Sequence, residues 1–166
     1  MQTDPDRLVQ WSTNSPIGRI YLTASAKGLR GVFLTKQAVP MAPSLRGTGS
    51  GIKTLARAVR QIKEYLTGKR KRFDLPLDAS GTSFQRSVWR QLAKIPYGRT
   101  CSYADIARRI KNIKAVRAVG GANGANPLCI IVPCHRVIAA DGTIGGYSGG
   151  IAVKKKLLRL ELSGAL

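Results

Sequence analysis

Cys134 and His135 stand side by side in Ile130-Ile131-Val132-Pro133-Cys134-His135-Arg136-Val137-Ile138, between two apolar, β-branched runs. Flanks of that kind are usually buried. A thiol held there beside an imidazole can be kept as a thiolate, the form that attacks carbon, because a nearby proton acceptor lowers its pKa from about 8.5. A buried free cysteine is most often plain packing. His135, the only histidine of the chain, argues against that here. A cysteine hydrolase is the weaker reading, since its nucleophile and base normally meet from distant segments rather than as chain neighbours.

The other candidate groups narrow the chemistry. Cys101, Cys129 and Cys134 form neither a Cys-x-x-Cys pair nor a zinc spacing, and one histidine cannot complete a standard structural site, so no metal is expected. The loop Gly145-Gly146-Tyr147-Ser148-Gly149-Gly150 lacks the Lys-Ser/Thr ending and the helix of a phosphate-binding loop, which excludes nucleotide hydrolysis. Reduced thiols in a cytoplasmic, nucleoid-associated setting are expected. The first ten residues carry Asp4, Pro5 and Asp6 and no apolar core of a signal peptide, and no apolar run is long enough for a bilayer.

Charge points to the partner. The chain of 166 residues holds 28 Lys and Arg against 8 Asp and Glu, a net charge of +20, far beyond what solubility needs. A polyanion is the natural partner, bound in a salt-sensitive way because each neutralised phosphate releases counterions. The excess is spread over both halves, so charge alone does not locate the binding face. Lys69-Arg70-Lys71-Arg72 could touch phosphate, but a basic run just past a helix end suits solvent and the helix dipole better.

These groups need elements to position them. Residues 8–11, 18–24 and 29–34 read as strands of a small antiparallel sheet, with Lys27-Gly28 turning between the last two. The Pro-, Gly- and Ser-rich stretch 38–51 reads as a loop with room to move. Ile52, Leu55, Val59, Ile62 and Leu66 recur at helical spacing until Gly68, giving a helix to cover the sheet. Residues 75–81 form an extended link, dividing the chain into a domain over 1–81 and another over 82–166. Thr82 with Gln85, and Ser102 with Asp105, are capping-box patterns opening two helices.

The second of these helices and the run 115–122 read as a helix-turn-helix. Its Ala- and Gly-rich second helix is small enough either to pack against the core or to approach another surface closely, and Arg117 favours the latter. Such a helix has few side chains able to address base edges in the major groove, so a sequence-reading regulator is disfavoured. Residues 128–132 read as a buried strand delivering Pro133 and Cys134, and residues 153–162 as a closing helix with Lys154, Lys155 and Lys156 on its early turn and Glu161 near its end.

The Pro133-Cys134-His135-Arg136 run, together with Arg117-Ala118-Val119-Gly120-Gly121-Ala122-Asn123, Asn126-Pro127 and Tyr147-Ser148-Gly149-Gly150, resembles the O6-alkylguanine-DNA alkyltransferases in motif order and spacing, from about Thr82 to Glu161. The resemblance implies an α/β (α+β) protein: a ribonuclease H-like N-terminal domain with a covering helix, then a mainly helical C-terminal domain with a winged-helix-like helix-turn-helix. It implies double-stranded DNA carrying O6-alkylguanine as partner, bound through the minor groove by a monomer, with O4-alkylthymine as a further substrate and cooperative assembly on DNA both open.

The alkylated base must leave the stack to react. By resemblance, Arg117 takes its place, Tyr103 helps rotate the nucleotide, and Ala118, Gly121 and Ala122 permit close backbone approach. Cys134 receives the alkyl group, Glu161 orients His135, and His135 takes the thiol proton through a water. The Tyr103 hydroxyl assists the leaving guanine, Ser148 with nearby backbone amides stabilises charge on O6, and Asn126 braces the active-site turn. The resemblance further implies a single-use reaction without cofactors. Damage-sensing relatives that lack activity replace the nucleophile, commonly with tryptophan, and Cys134 argues against that class. The first half lacks the cysteine and histidine set that some relatives use for zinc, and Cys101 has no assigned role.

Overall fold

A computed structural model of the chain describes residues 4–166, which divide into two compact units meeting between Ser80 and Gly81. The first unit is built on an antiparallel meander of β1 (Val9–Thr13), β2 (Ile20–Ala24) and β3 (Leu29–Phe33), in that spatial order. The alternation in β2 sends Ile20, Leu22 and Ala24 to one buried face. Helix α1 (Ser50–Leu66) packs on the sheet, burying Leu55, Ala58, Ile62 and Tyr65. Burying a side chain the size of Leu55 or Ile62 stabilises the unit by about 1.5–3 kcal/mol.

Polar ties fix the rest of this unit. The start of the stretch read as a loose loop is held by Gln10, a fully buried side chain that donates to the carbonyls of Gln37 and Val39 and accepts from the Gln37 amide. The predicted link is also anchored. Leu29 exchanges backbone hydrogen bonds with Pro76 and Asp78, and the Asp78 carboxylate accepts from Ser25 and Arg30. Arg70 turns back onto Glu64 at 2.6 Å, so one member of the basic run is an ion-pair partner rather than a free cation.

The second unit is mainly helical: α2 (Ser83–Leu92), β4 (Cys101–Ser102), α3 (Tyr103–Arg109), α4 (Val116–Gly124), β5 (Val137–Ile138) and α5 (Ile151–Ser163). Both capping boxes form. Thr82 accepts from the Gln85 amide and Ser102 from the Asp105 amide, while each partner side chain returns the bond. Such caps satisfy amides that a helix start leaves bare. Helix α4 packs against α2 and α3, and the Trp89 indole donates to the Ala122 carbonyl at 2.8 Å. The parallel pairing of β4 with β5 joins the start of α3 to the segment just after Cys134.

One predicted element is absent. Residues 128–132 are not a strand but a chain of turns, with Ile130 at φ 74° and the Val132 amide donating to the Leu128 carbonyl at 2.8 Å. Asn126 explains the difference. Its side chain accepts from the Leu128 amide at 3.0 Å and donates to the Val132 carbonyl at 2.8 Å, satisfying groups that a ladder would otherwise have used. The positive φ of a β-branched residue costs of order 1–3 kcal/mol and persists because its surroundings over-determine it.

Candidate active site

Cys134 opens a short 3-10 turn, Cys134–Arg136, immediately after Pro133. It is 1% exposed and His135 is fully buried. Helix α5 carries Glu161 to the same place. One carboxylate oxygen, Oε1, lies 2.8 Å from His135 Nε2 and accepts from Arg136 Nη2, also at 2.8 Å, while Oε2 accepts from Arg136 Nε at 2.9 Å and from the Gly98 amide at 3.1 Å. Gly98 sits at φ 74°, and a Cβ there would meet the Glu161 carbonyl at 3.1 Å, so both conformation and approach require glycine. The guanidinium of Arg136 also donates to the Ile95 carbonyl and lies over the Tyr97 ring.

This arrangement sets the protonation of the imidazole. Burial pushes His135 below its ordinary value; the Glu161 carboxylate opposes that without reversing it, and the positive charges of Arg136 and Lys154 add to the lowering. A neutral imidazole whose Nε2–H points at Glu161 keeps its lone pair on the buried Nδ1. The group therefore has the tautomer of a proton acceptor.

The thiol itself departs from the expectation of an easily formed thiolate. Its contact with the Cys129 thiol, followed by burial, pushes Cys134 well above the usual range, while a hydrogen bond with Asn126 and the charge of Lys154 pull the other way. Sequence reading recognised the neighbouring base and the burial but not the second sulfur. Cys129 moves oppositely: the Cys134 contact, with hydrogen bonds from Ser148 and Tyr147, lowers it to about 6 despite burial.

The rim comes from three segments. Tyr103, half-buried at the start of α3, is pushed up by burial and then by the nearby Cys134, so its hydroxyl stays a donor at neutral pH. A Cβ on Gly145, which sits at φ 70°, would lie 3.0 Å from that hydroxyl. Ser148 is exposed, with Oγ 3.5 Å from Cys129 Sγ. Lys154 is fully buried and its Nζ donates to the carbonyls of Val137 at 2.6 Å and Gly146 at 3.1 Å, pinning the glycine-rich loop beside the cysteine segment. Among the described residues no three His, Cys, Asp or Glu side chains cluster as a metal site requires.

The structure thus gathers Cys134, His135, Asn126 and Glu161 into one buried group, with Tyr103 and Ser148 beside it. Arg117, Ala118 and Gly121 lie apart, on the exposed face of α4. Ala122 does not join them. It is 4% exposed and faces the interior, where its carbonyl receives Trp89, so its smallness serves helix packing rather than an outside surface. Sequence reasoning gave no role to Arg136, Lys154 or Cys129. The signal for Lys154 was available: it shares a helical face with Leu157 and Glu161, at spacings of three and seven, and a lysine on that face must find carbonyl partners.

Two family models cover nearly the whole chain: the 6-O-methylguanine DNA methyltransferase ribonuclease-like domain over residues 8–79 and the DNA binding domain of the same family over residues 83–163. The chain belongs to the 6-O-methylguanine DNA methyltransferase family. Its relatives in that family include a methylated-DNA–protein-cysteine methyltransferase of Methanosarcina barkeri, 45% identical over 148 residues that span 89% of this chain and 92% of the relative. A protein of the same name from Mycolicibacterium paratuberculosis is 44% identical over 155 residues, 93% of each chain. Among solved structures, Mycobacterium tuberculosis OGT in complex with DNA superimposes with a TM-score of 0.85 at 42% identity, covering 95% of this methyltransferase-family chain and 94% of its own.

Proposed function

We propose that this methyltransferase repairs DNA directly, moving the alkyl group of O6-alkylguanine to Cys134 in a single-use reaction on nucleoid DNA. The observation that carries the reading is the Cys134-His135 pair with His135 Nε2 committed to Glu161 at 2.8 Å, which leaves Nδ1 as acceptor. The thiol proton passes through a water to His135, and the sulfur attacks the alkyl carbon as the carbon–O6 bond breaks. The Tyr103 hydroxyl donates to the leaving guanine, and Ser148 with neighbouring amides eases charge on O6. Asn126 holds the turn that aims the sulfur. A buried thiol with a raised pKa stays protonated until the substrate arrives and the relay draws the proton.

DNA meets the exposed face of α4 in its minor groove. Ala118 and Gly121 allow close approach there, and Arg117 fills the space of the everted nucleotide. The thioether product resists hydrolysis, so each molecule acts once, as a monomer and without a cofactor. The test is mass spectrometry after incubation with an O6-methylguanine duplex. Tryptic peptide 118–136 gains one CH2, a methyl replacing the thiol hydrogen, and Cys134→Ala gains nothing. Repaired DNA beside an unchanged peptide would overturn the proposal.

A further inference from the structure

The second sulfur is unexplained by alkyl transfer. Cys129 lies in the same turn as Cys134, and the backbone between them is tightly wound: the Ile131 amide donates to the Cys129 carbonyl, and the Cys134 amide to the Val132 carbonyl. That winding brings the two thiols within hydrogen-bonding reach of each other, and the Asn126 carbonyl lies 3.9 Å from Cys129 Sγ. Cys129 is the more accessible of the two, 9% exposed against 1%, and its Sγ is 3.5 Å from the hydroxyl of exposed Ser148 at the rim.

We propose that Cys129 and Cys134 are a redox pair, in which a peroxide oxidises Cys129 and Cys134 then closes a reversible disulfide that shields the single-use sulfur from permanent oxidation. The Cys129 thiolate attacks the peroxide oxygen, the O–O bond breaks, and hydroxide leaves with Cys129 as a sulfenic acid. The Cys134 sulfur then attacks the Cys129 sulfur, its proton leaves with the hydroxyl as water, and the S–S bond forms. The two electrons lost by the thiols reduce the peroxide. A lowered Cys129 pKa supports this order, since the thiolate is the reactive form. A single-use acceptor loses its one turnover to overoxidation, whereas a disulfide returns it on contact with a reducing thiol.

The protective role rests on Cys134 being the alkyl acceptor, but the bond itself is testable without DNA. Full-length reduced protein is treated with hydrogen peroxide, blocked with an alkylating reagent and digested with trypsin. No Lys or Arg lies between Arg117 and Arg136, so both cysteines fall in peptide 118–136, while Cys101 falls in peptide 100–108 as an internal control. Peptide 118–136 becomes two hydrogen masses lighter, and dithiothreitol restores both its mass and alkyl transfer. In Cys129→Ser and Cys129→Ala, the same treatment adds oxygen masses to Cys134, and dithiothreitol recovers less transfer than in the parent, each measured against its own untreated sample. Oxygen addition in place of hydrogen loss in the parent peptide would overturn the proposal, as would equal thiol-dependent recovery in the variants. Failure of untreated protein to accept a methyl group would instead overturn the repair function, leaving the peptide map to decide the disulfide.

Discussion

Glu161 is the most heavily committed residue of the site, because a single buried carboxylate serves both the imidazole and the Arg136 guanidinium. Removing its charge leaves Arg136 buried without a counter-ion, a loss of about 3–5 kcal/mol for pairs of this kind. Glu161→Gln should therefore lower the urea midpoint and slow single-turnover methyl transfer by about 10²-fold or more, within the range of proton-transfer catalysis. An unchanged rate would remove the relay. His135 adds a pH dependence. Its folded-state pKa is depressed, so the unfolded chain takes up the proton first as pH falls. Stability should hold above about pH 6.5 and decline as pH drops from there toward the folded-state value. His135→Gln should flatten that part of the stability–pH curve in urea titrations.

At the level of elements, α3 packs directly on α4, and the Ser102 cap fixes where α3 begins. Ser102→Ala should cost about 1 kcal/mol through the lost cap, visible as a shift in denaturation midpoint. Arg117 makes a different kind of contribution. If it fills the gap left by an everted nucleotide, Arg117→Ala should slow transfer from duplex DNA about tenfold or more while sparing reaction with the free alkylated base, since only duplex demands the extraction energy. Equal slowing on both substrates would place its role elsewhere. Lys154 ties the loop after β5 to β5 itself, its ammonium donating to the Val137 and Gly146 carbonyls.

For the whole molecule, the charge of +20 governs association. DNA affinity should fall linearly with salt on logarithmic axes, each neutralised phosphate adding about 0.9 to the slope. A flat dependence in fluorescence anisotropy would assign the charge to another partner. Alkylation should be felt throughout the second unit as well. Cys134 is packed against Cys129 and Asn126, and extra carbon in a filled site typically costs about 1–3 kcal/mol. The methylated protein should therefore melt below the unmodified one, and a larger alkyl group should lower the midpoint further.

Much of this was legible in the chain because it depended on near neighbours. The period-two and helical patterns located the meander and α1, and the two capping boxes formed at the residues that spelled them. The motif order around Cys134 identified the family. What hydrophobic periodicity could not reveal was which side chains, near or distant, would satisfy backbone polar groups. The apolar run 128–132 looked like a strand, yet Asn126 took its hydrogen bonds and wound it into turns. Ala122 looked like surface, yet Trp89 claimed its carbonyl. Residue type and spacing determined which atoms could react. Only the tertiary structure decided their protonation, because burial and a shared carboxylate came from segments far apart along the chain, and the winding of one turn brought in a second sulfur.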